Sequence, residues 1–159
     1  MINTKKNIIK TIMPKAVLLP LTKEATNALV KGQYQHDLIP MMDFPFKVGR
    51  ESRLDTNDNG LFVKLRLIRT PSKPNNDIYL INEGRDLQIS KEHFQIERTS
   101  SEYILKDRGS TNGTTINDIT YGGEKEVFEK VLNDGDIIKI GTNQSLFKYQ
   151  FLILEDLEN

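Results

Sequence analysis

The apolar residues in the second half of this chain come in short runs that alternate with polar ones, and turn formers close each run. From Asp77 onward the runs are DIYLI, EHFQIER, YILKD, TTIND, DIIKIG and LFKYQFLIL. Side chains two apart share one face of a strand, so each run buries one face and leaves the other wet. Strands this short, punctuated by Gly, Asn and Asp, predict an all-β fold, an antiparallel sandwich or barrel. Upstream, KAVLLPL predicts a first strand ending near Pro20. TKEATNALVKG, with Thr22 as cap and Gly32 as stop, reads as a short helix near the N-terminus, with a loop as the alternative. DLIPMMDFPFKVG reads as one or two strands broken by Pro40 and Pro45.

The 159 residues fit one domain with some decoration, enough to bury a core without covalent staples. Residues 1–14 are basic and read as a mobile extension, 15–154 as the β domain, and 155–159 as an acidic, solvated tail. Lys+Arg and Asp+Glu are both 22, so bulk charge points to neither nucleic acid nor an anionic membrane. No apolar run approaches the roughly 20 residues that cross a bilayer, and Lys10, Pro14, Lys15 and Pro20 break up the only signal-like stretch. With no cysteine, thiolate chemistry and Cys-based zinc sites are excluded, and a cytoplasmic, reducing location fits. His36 and His93 are the only histidines, too few for a His-rich metal site. The neutral sum hides an asymmetry: Lys64, Arg66, Arg69 and Lys73 stand together without an acid, whereas Asp118, Glu124, Glu126, Glu129, Asp134 and Asp136 face only Lys125 and Lys130. That pattern gives either two electrostatic sides or a set of solvated faces.

Three stretches carry chemistry. In FKVGRES, Gly49 permits close backbone approach, and Arg50 presents a planar, permanent cation where a strand turns into a loop. In ISKEHF, Ser90 and His93 do not make a hydrolase. No G-x-S-x-G elbow surrounds the serine, and strand residues three apart point to opposite faces. If Ser90 ends the preceding loop, its hydroxyl faces a ligand while His93 turns inward to hold loop backbone. Ser90 with Lys91 is a hydroxyl donor beside a cation, which suits phosphate oxygens. In DRGSTNGTTIN, Asn112-Gly113 predicts a hairpin turn, but Ser110, Thr111, Asn112 and Thr114 supply more donors and acceptors than a turn requires.

Taken in order, Gly49-Arg50, Ser90-x-x-His93 and Ser110-Thr111-Asn112-Gly113-Thr114, together with NNDIYL and LNDGDIIKIG, resemble the forkhead-associated (FHA) domain family. The resemblance covers about Phe46 to Leu154 and extends to about Lys15 if the first strand is counted. It implies a two-sheet antiparallel β-sandwich of the FHA/SMAD type that binds phosphothreonine peptides through loops at one end. It implies no catalysis and no cofactor. By the same resemblance Arg50, Ser90 and Lys91 serve the phosphate, Thr111 and Asn112 hold the peptide backbone, and Gly49, His93 and Gly113 shape the loops. The implied partner is a phosphothreonine protein made by a Ser/Thr kinase, and the single-domain layout resembles bacterial members. Two features depart from the family. Gln88 stands where some members place an arginine, and the stretch at about 51–75 is long. Its Lys64, Arg66 and Arg69 are expected to assist anion binding, or the insertion forms a hairpin for dimerisation. The alternative function is a phosphate-independent scaffold that uses a sheet face or this insertion.

Overall fold

A computed structural model describes residues 1–29, 37–52, 54–57, 60–63, 74–84 and 86–157. In chain order the elements are α1 (Ile2–Ile12), β1 (Ala16–Pro20), α2 (Lys23–Asn27), β2 (Ile39–Met41), β3 (Phe46–Arg50), β4 (Leu54–Asn57) and β5 (Gly60–Val63). They continue with β6 (Ile78–Leu80), β7 (Phe94–Arg98), β8 (Tyr103–Asp107), β9 (Thr114–Ile116), β10 (Ile119–Tyr121), β11 (Glu129–Leu132), β12 (Ile137–Ile140) and β13 (Lys148–Ile153).

The strands build two sheets, ordered β10-β9-β12-β13-β1-β2 and β11-β8-β7-β3-β6, and β4 pairs with β5 in a separate ribbon. Alternation sets which face is buried. Phe94 and Ile96 of β7, Tyr103 and Leu105 of β8, and Tyr149 and Phe151 of β13 point inward, while Gln95, Lys106 and Gln150 lie at least partly in water. The inner faces of both sheets contribute to one core, in which Tyr103 of one sheet meets Phe151 of the other edge-to-face at 5.3 Å between ring centres. The fold is the β-sandwich that the alternation and the motif order imply.

Two local expectations are corrected and two are refined. First, the sheets are not wholly antiparallel, because β6 runs parallel to β3, with Gly49 opposite Tyr79. A parallel neighbour needs a long connection, and the chain between Arg50 and Ile78 has that length. Second, Asn112-Gly113 is not a hairpin. It carries the chain from β8 in one sheet to β9 in the other, and the tight hairpin lies at Asn117-Asp118, both with positive φ (49° and 69°), between β9 and β10. Third, residues 1–14 are helical over Ile2–Ile12, with no buried residue, until Met13 takes an extended conformation before Pro14. Fourth, the tail is not simply solvated. Glu155 takes a two-pronged contact from Arg98 and accepts the Tyr103 hydroxyl, and Leu157 packs against the core. Arg98, and then the Tyr103 hydroxyl, hold the Glu155 carboxyl below the usual carboxylate range.

Other expectations match the fold. Thr22 caps α2, its hydroxyl accepting from Ala25 N–H at 3.1 Å. Pro40, by contrast, does not break a strand as expected but sits within β2, an edge strand, where its missing N–H costs no ladder bond.

Truncation after Leu154 strips Arg98 and Tyr103 of a shared charged acceptor. It is expected to cost about 1–3 kcal/mol in urea unfolding, whereas a freely solvated tail would leave stability within about 0.5 kcal/mol.

Candidate functional site

Gly49 lies where β3 meets the segment that follows β6. A Cβ there would fall 2.0 Å from Lys91 O and 2.5 Å from Asn76 Nδ2, so no other residue allows the approach. Around this point the 90–93 segment is fastened to β3. Arg50 N–H donates to Ser90 O at 3.0 Å, His93 N–H donates to Val48 O at 3.0 Å, and Asn76 Nδ2–H donates to Lys91 O at 2.8 Å.

His93 is fully buried and joins two loops. Its Nδ1 accepts from Ser90 N–H at 3.0 Å, which leaves the ring proton on Nε2 to donate to Gly113 O at 2.7 Å. Burial lowers its pKa to about 4, against weaker opposing effects of the Gly113 carbonyl and Asp107. The imidazole is therefore neutral near pH 7. Both nitrogens are used by backbone, and the Ser90 hydroxyl is bonded elsewhere, so the pair is not arranged as nucleophile and base. Ser90 Oγ accepts from Thr111 N–H at 3.0 Å. Its own O–H has no acceptor among the described residues.

Asp107 builds the second loop. Its carboxylate accepts from Gly109 N–H at 2.8 Å, from Ser110 N–H at 3.0 Å and from the buried Ser110 hydroxyl. From behind, Glu124 N–H donates to Thr111 O at 2.7 Å and Lys125 N–H to Ser110 O at 3.0 Å. Gly113 holds φ 72°, and a Cβ on it would sit 2.3 Å from Tyr121 O. Asn112 Nδ2 donates to Leu87 O at 2.7 Å, which leaves Oδ1 and one N–H for a ligand.

Ser90, Lys91 and Thr111 line one shallow depression of about 350 Å³, with Asn75, Glu92 and Arg108. The structure thus brings three of the five candidate contact residues into one concavity. Asn112 stands next to it in the chain. Arg50 is tied to Ser90 through its backbone but does not line the depression, and its buried Nε has no partner among the described residues. Gln88 is turned away. Its Oε1 accepts from Thr142 N–H at 2.9 Å and its Nε2 donates to Asp86 at 2.7 Å, so it fastens the 141–142 turn. Lys64, Arg66, Arg69 and His36 lie outside the described residues. Three contributors went unnoticed in the sequence: Arg108, Asn76 and Asp107. The signal for the first and last was their position in DRGSTNG, directly before the polar turn. Among the described residues no cluster of His, Asp and Glu could hold a metal ion, and no helix is long and apolar enough to cross a membrane.

Residues 46–141 match the model of the FHA domain family. An FHA domain-containing protein of Arabidopsis thaliana is 39% identical over 62 residues, which is 39% of this chain and 15% of that protein. The fold resembles Mycobacterium tuberculosis EmbR in complex with a low-affinity phosphopeptide, with a TM-score of 0.51 at 17% identity over 99% of this chain and 31% of that one. It also resembles the solution structure of the FHA domain of an Arabidopsis thaliana hypothetical protein, with a TM-score of 0.50 at 22% identity over 94% and 93% of the two chains. At these identities the two structures speak for the fold.

His93 gives a pH test. A folded-state pKa of about 4, below the ordinary 6.5, means that the unfolded chain takes up the proton first as pH falls. Stability from the neutral ring is complete above pH 6.5, is lost between pH 6.5 and about 4, and then levels off, a loss of about 3 kcal/mol. Urea unfolding from pH 7 to 4 should show this slope in the wild type and a flatter one in His93→Gln.

Proposed function

Because this chain belongs to the FHA domain family, we propose that it is a phosphothreonine-peptide binding module that acts as an adaptor in Ser/Thr-kinase signalling. The observation that carries this reading is the state of Ser90. Its hydroxyl has an oxygen lone pair filled by Thr111 N–H, its backbone is held by His93, and its proton, beside Lys91 and over an open depression, has no acceptor among the described residues. A phosphothreonine brings about −1.5 to −2 charges and three acceptor oxygens. In this reading Ser90 and Lys91 donate to the phosphate, Arg50, whose Nε has no partner among the described residues, turns toward phosphate or adjoining peptide, and Thr111 and Asn112 hold the peptide backbone. Bonds to a charged group contribute about 1.5–3 kcal/mol each. Several of them, less the cost of ordering a peptide, correspond to micromolar affinity, about −8 kcal/mol.

The depression offers hydrogen-bond donors and two cations, Lys91 and Arg108, against one carboxylate, Glu92, which is paired with Arg108, and this balance favours holding an anion. A bacterial, cytoplasmic setting belongs to the same reading, and the absence of cysteine is consistent with it. Lys64, Arg66 and Arg69 would add long-range attraction for the phosphopeptide. A phosphate-independent scaffold is the second reading. The observation in its favour is the β4–β5 ribbon, which among the described residues pairs only with itself.

Calorimetry with one random-flank peptide pool in phosphothreonine, phosphoserine and threonine forms separates the two. The expected result is micromolar binding of the phosphothreonine form alone, weakened at least about tenfold in Ser90→Ala and in Arg50→Ala. Equal binding of the threonine form would favour the scaffold. Neutralising Lys64, Arg66 and Arg69 together should weaken phosphopeptide binding at low salt and flatten its salt dependence. Unchanged affinity at low salt would remove these residues from the site.

A further inference from the structure

Arg108 follows the last residue of β8 and lines the depression shared by Ser90, Lys91 and Thr111. The side chain is 14% exposed. Two short bonds fix the fork from behind, Nη1 to Asn76 Oδ1 at 2.6 Å and Nη2 to Asn75 O at 2.9 Å. Asn76 in turn holds Lys91 O, so the fork and the loop carrying Ser90 share one anchor. The remaining partner is different in kind. Nη2 lies 3.3 Å from Glu92 Oε1, and the Glu92 side chain is 50% exposed. A guanidinium has five N–H donors, so a fork anchored by two of them keeps others for a ligand. An exposed ion pair of that length holds weakly.

We propose that Arg108 is a second anion-binding guanidinium of this site and that Glu92 occupies it until the phosphate of a phosphothreonine takes its place. The proposal rests on the phosphopeptide reading above and deepens it. Glu92 then acts as a competitor within the chain. Without ligand it neutralises and orients the fork. With ligand it sets a threshold, because only an anion with more charge and more acceptor oxygens than a carboxylate gains from replacing it. A phosphate meets that condition, with about −1.5 to −2 charges and three acceptors. An aspartate or glutamate at the same point of a peptide does not. The arrangement therefore discriminates phosphothreonine from acidic side chains, and it does so through a guanidinium in the neighbouring loop rather than at the position of Gln88.

The test is a double-mutant cycle with Arg108→Met, Glu92→Gln and the pair together. The probes are a random-flank phosphothreonine peptide pool and the same pool with glutamate in place of phosphothreonine, both titrated by calorimetry. Arg108→Met should weaken the phosphothreonine pool by about tenfold or more, and Arg108→Lys, which keeps charge but not the fork, should fall between. Glu92→Gln should tighten binding by about threefold in the wild-type background, with no gain when Arg108 is Met, and it should make binding of the glutamate pool measurable. If Arg108→Met does not fold, the Lys variant and the Glu92→Gln arm still decide. Wild-type binding that Arg108→Met leaves unchanged, or a Glu92→Gln effect of equal size in both backgrounds, would overturn this inference and leave the phosphopeptide reading standing. Failure of the wild type to bind the phosphothreonine pool would overturn both.

Discussion

The loop end of this molecule hangs on a buried imidazole. His93 takes the Ser90 backbone N–H on one nitrogen and gives its proton to the Gly113 carbonyl with the other. Those partners belong to different loops, one before β7 and one between β8 and β9. A neutral histidine suits this task because it offers one acceptor and one donor on opposite sides of a flat ring. A charged ring would have two donors and would repel the Ser90 N–H, so the burial that keeps His93 neutral also keeps the two loops in register. Ser90 Oγ and Thr111 N–H can meet because the backbones that carry them are already tied.

Around that tie the remaining contacts act as supports. Gly49 removes the side chain that would block Lys91 O, and Asn76 fills the space beside it. Asp107 gathers three donors of the second loop. The Glu124-Lys125 turn, both residues with positive φ, closes the back of that loop through two backbone bonds. Positions that L-residues rarely adopt persist only where surroundings fix them, and these lie directly behind Ser110 and Thr111.

The sandwich was legible because burial in a strand follows a two-residue period, and the runs from DIYLI to LFKYQFLIL keep it. The helix cap at Thr22 was legible because capping is local. What stayed hidden depends on where distant segments meet. The parallel partner of β3 follows from the path of a long connection, not from any residue in β6. Asn112-Gly113 has the composition of a hairpin turn, and composition cannot tell a turn within one sheet from a crossing between two. The cluster at Ser90, Lys91 and Thr111 could be listed from motif order, but the neighbourhood of Arg108 could not. Its partners are Asn75, Asn76 and Glu92, all more than a dozen residues away in the chain.

The crossing at Ser110–Gly113 has a mechanical consequence. The strand before it belongs to one layer of the sandwich and the strand after it to the other, so this loop is a seam between layers. A ligand gripped between the Ser90 loop and this seam would act as a clasp across the open end of the sandwich. Separating the layers would then require letting go of the ligand, and occupancy would be felt in the melting of the whole fold by mass action, well beyond the few side chains that touch the guest.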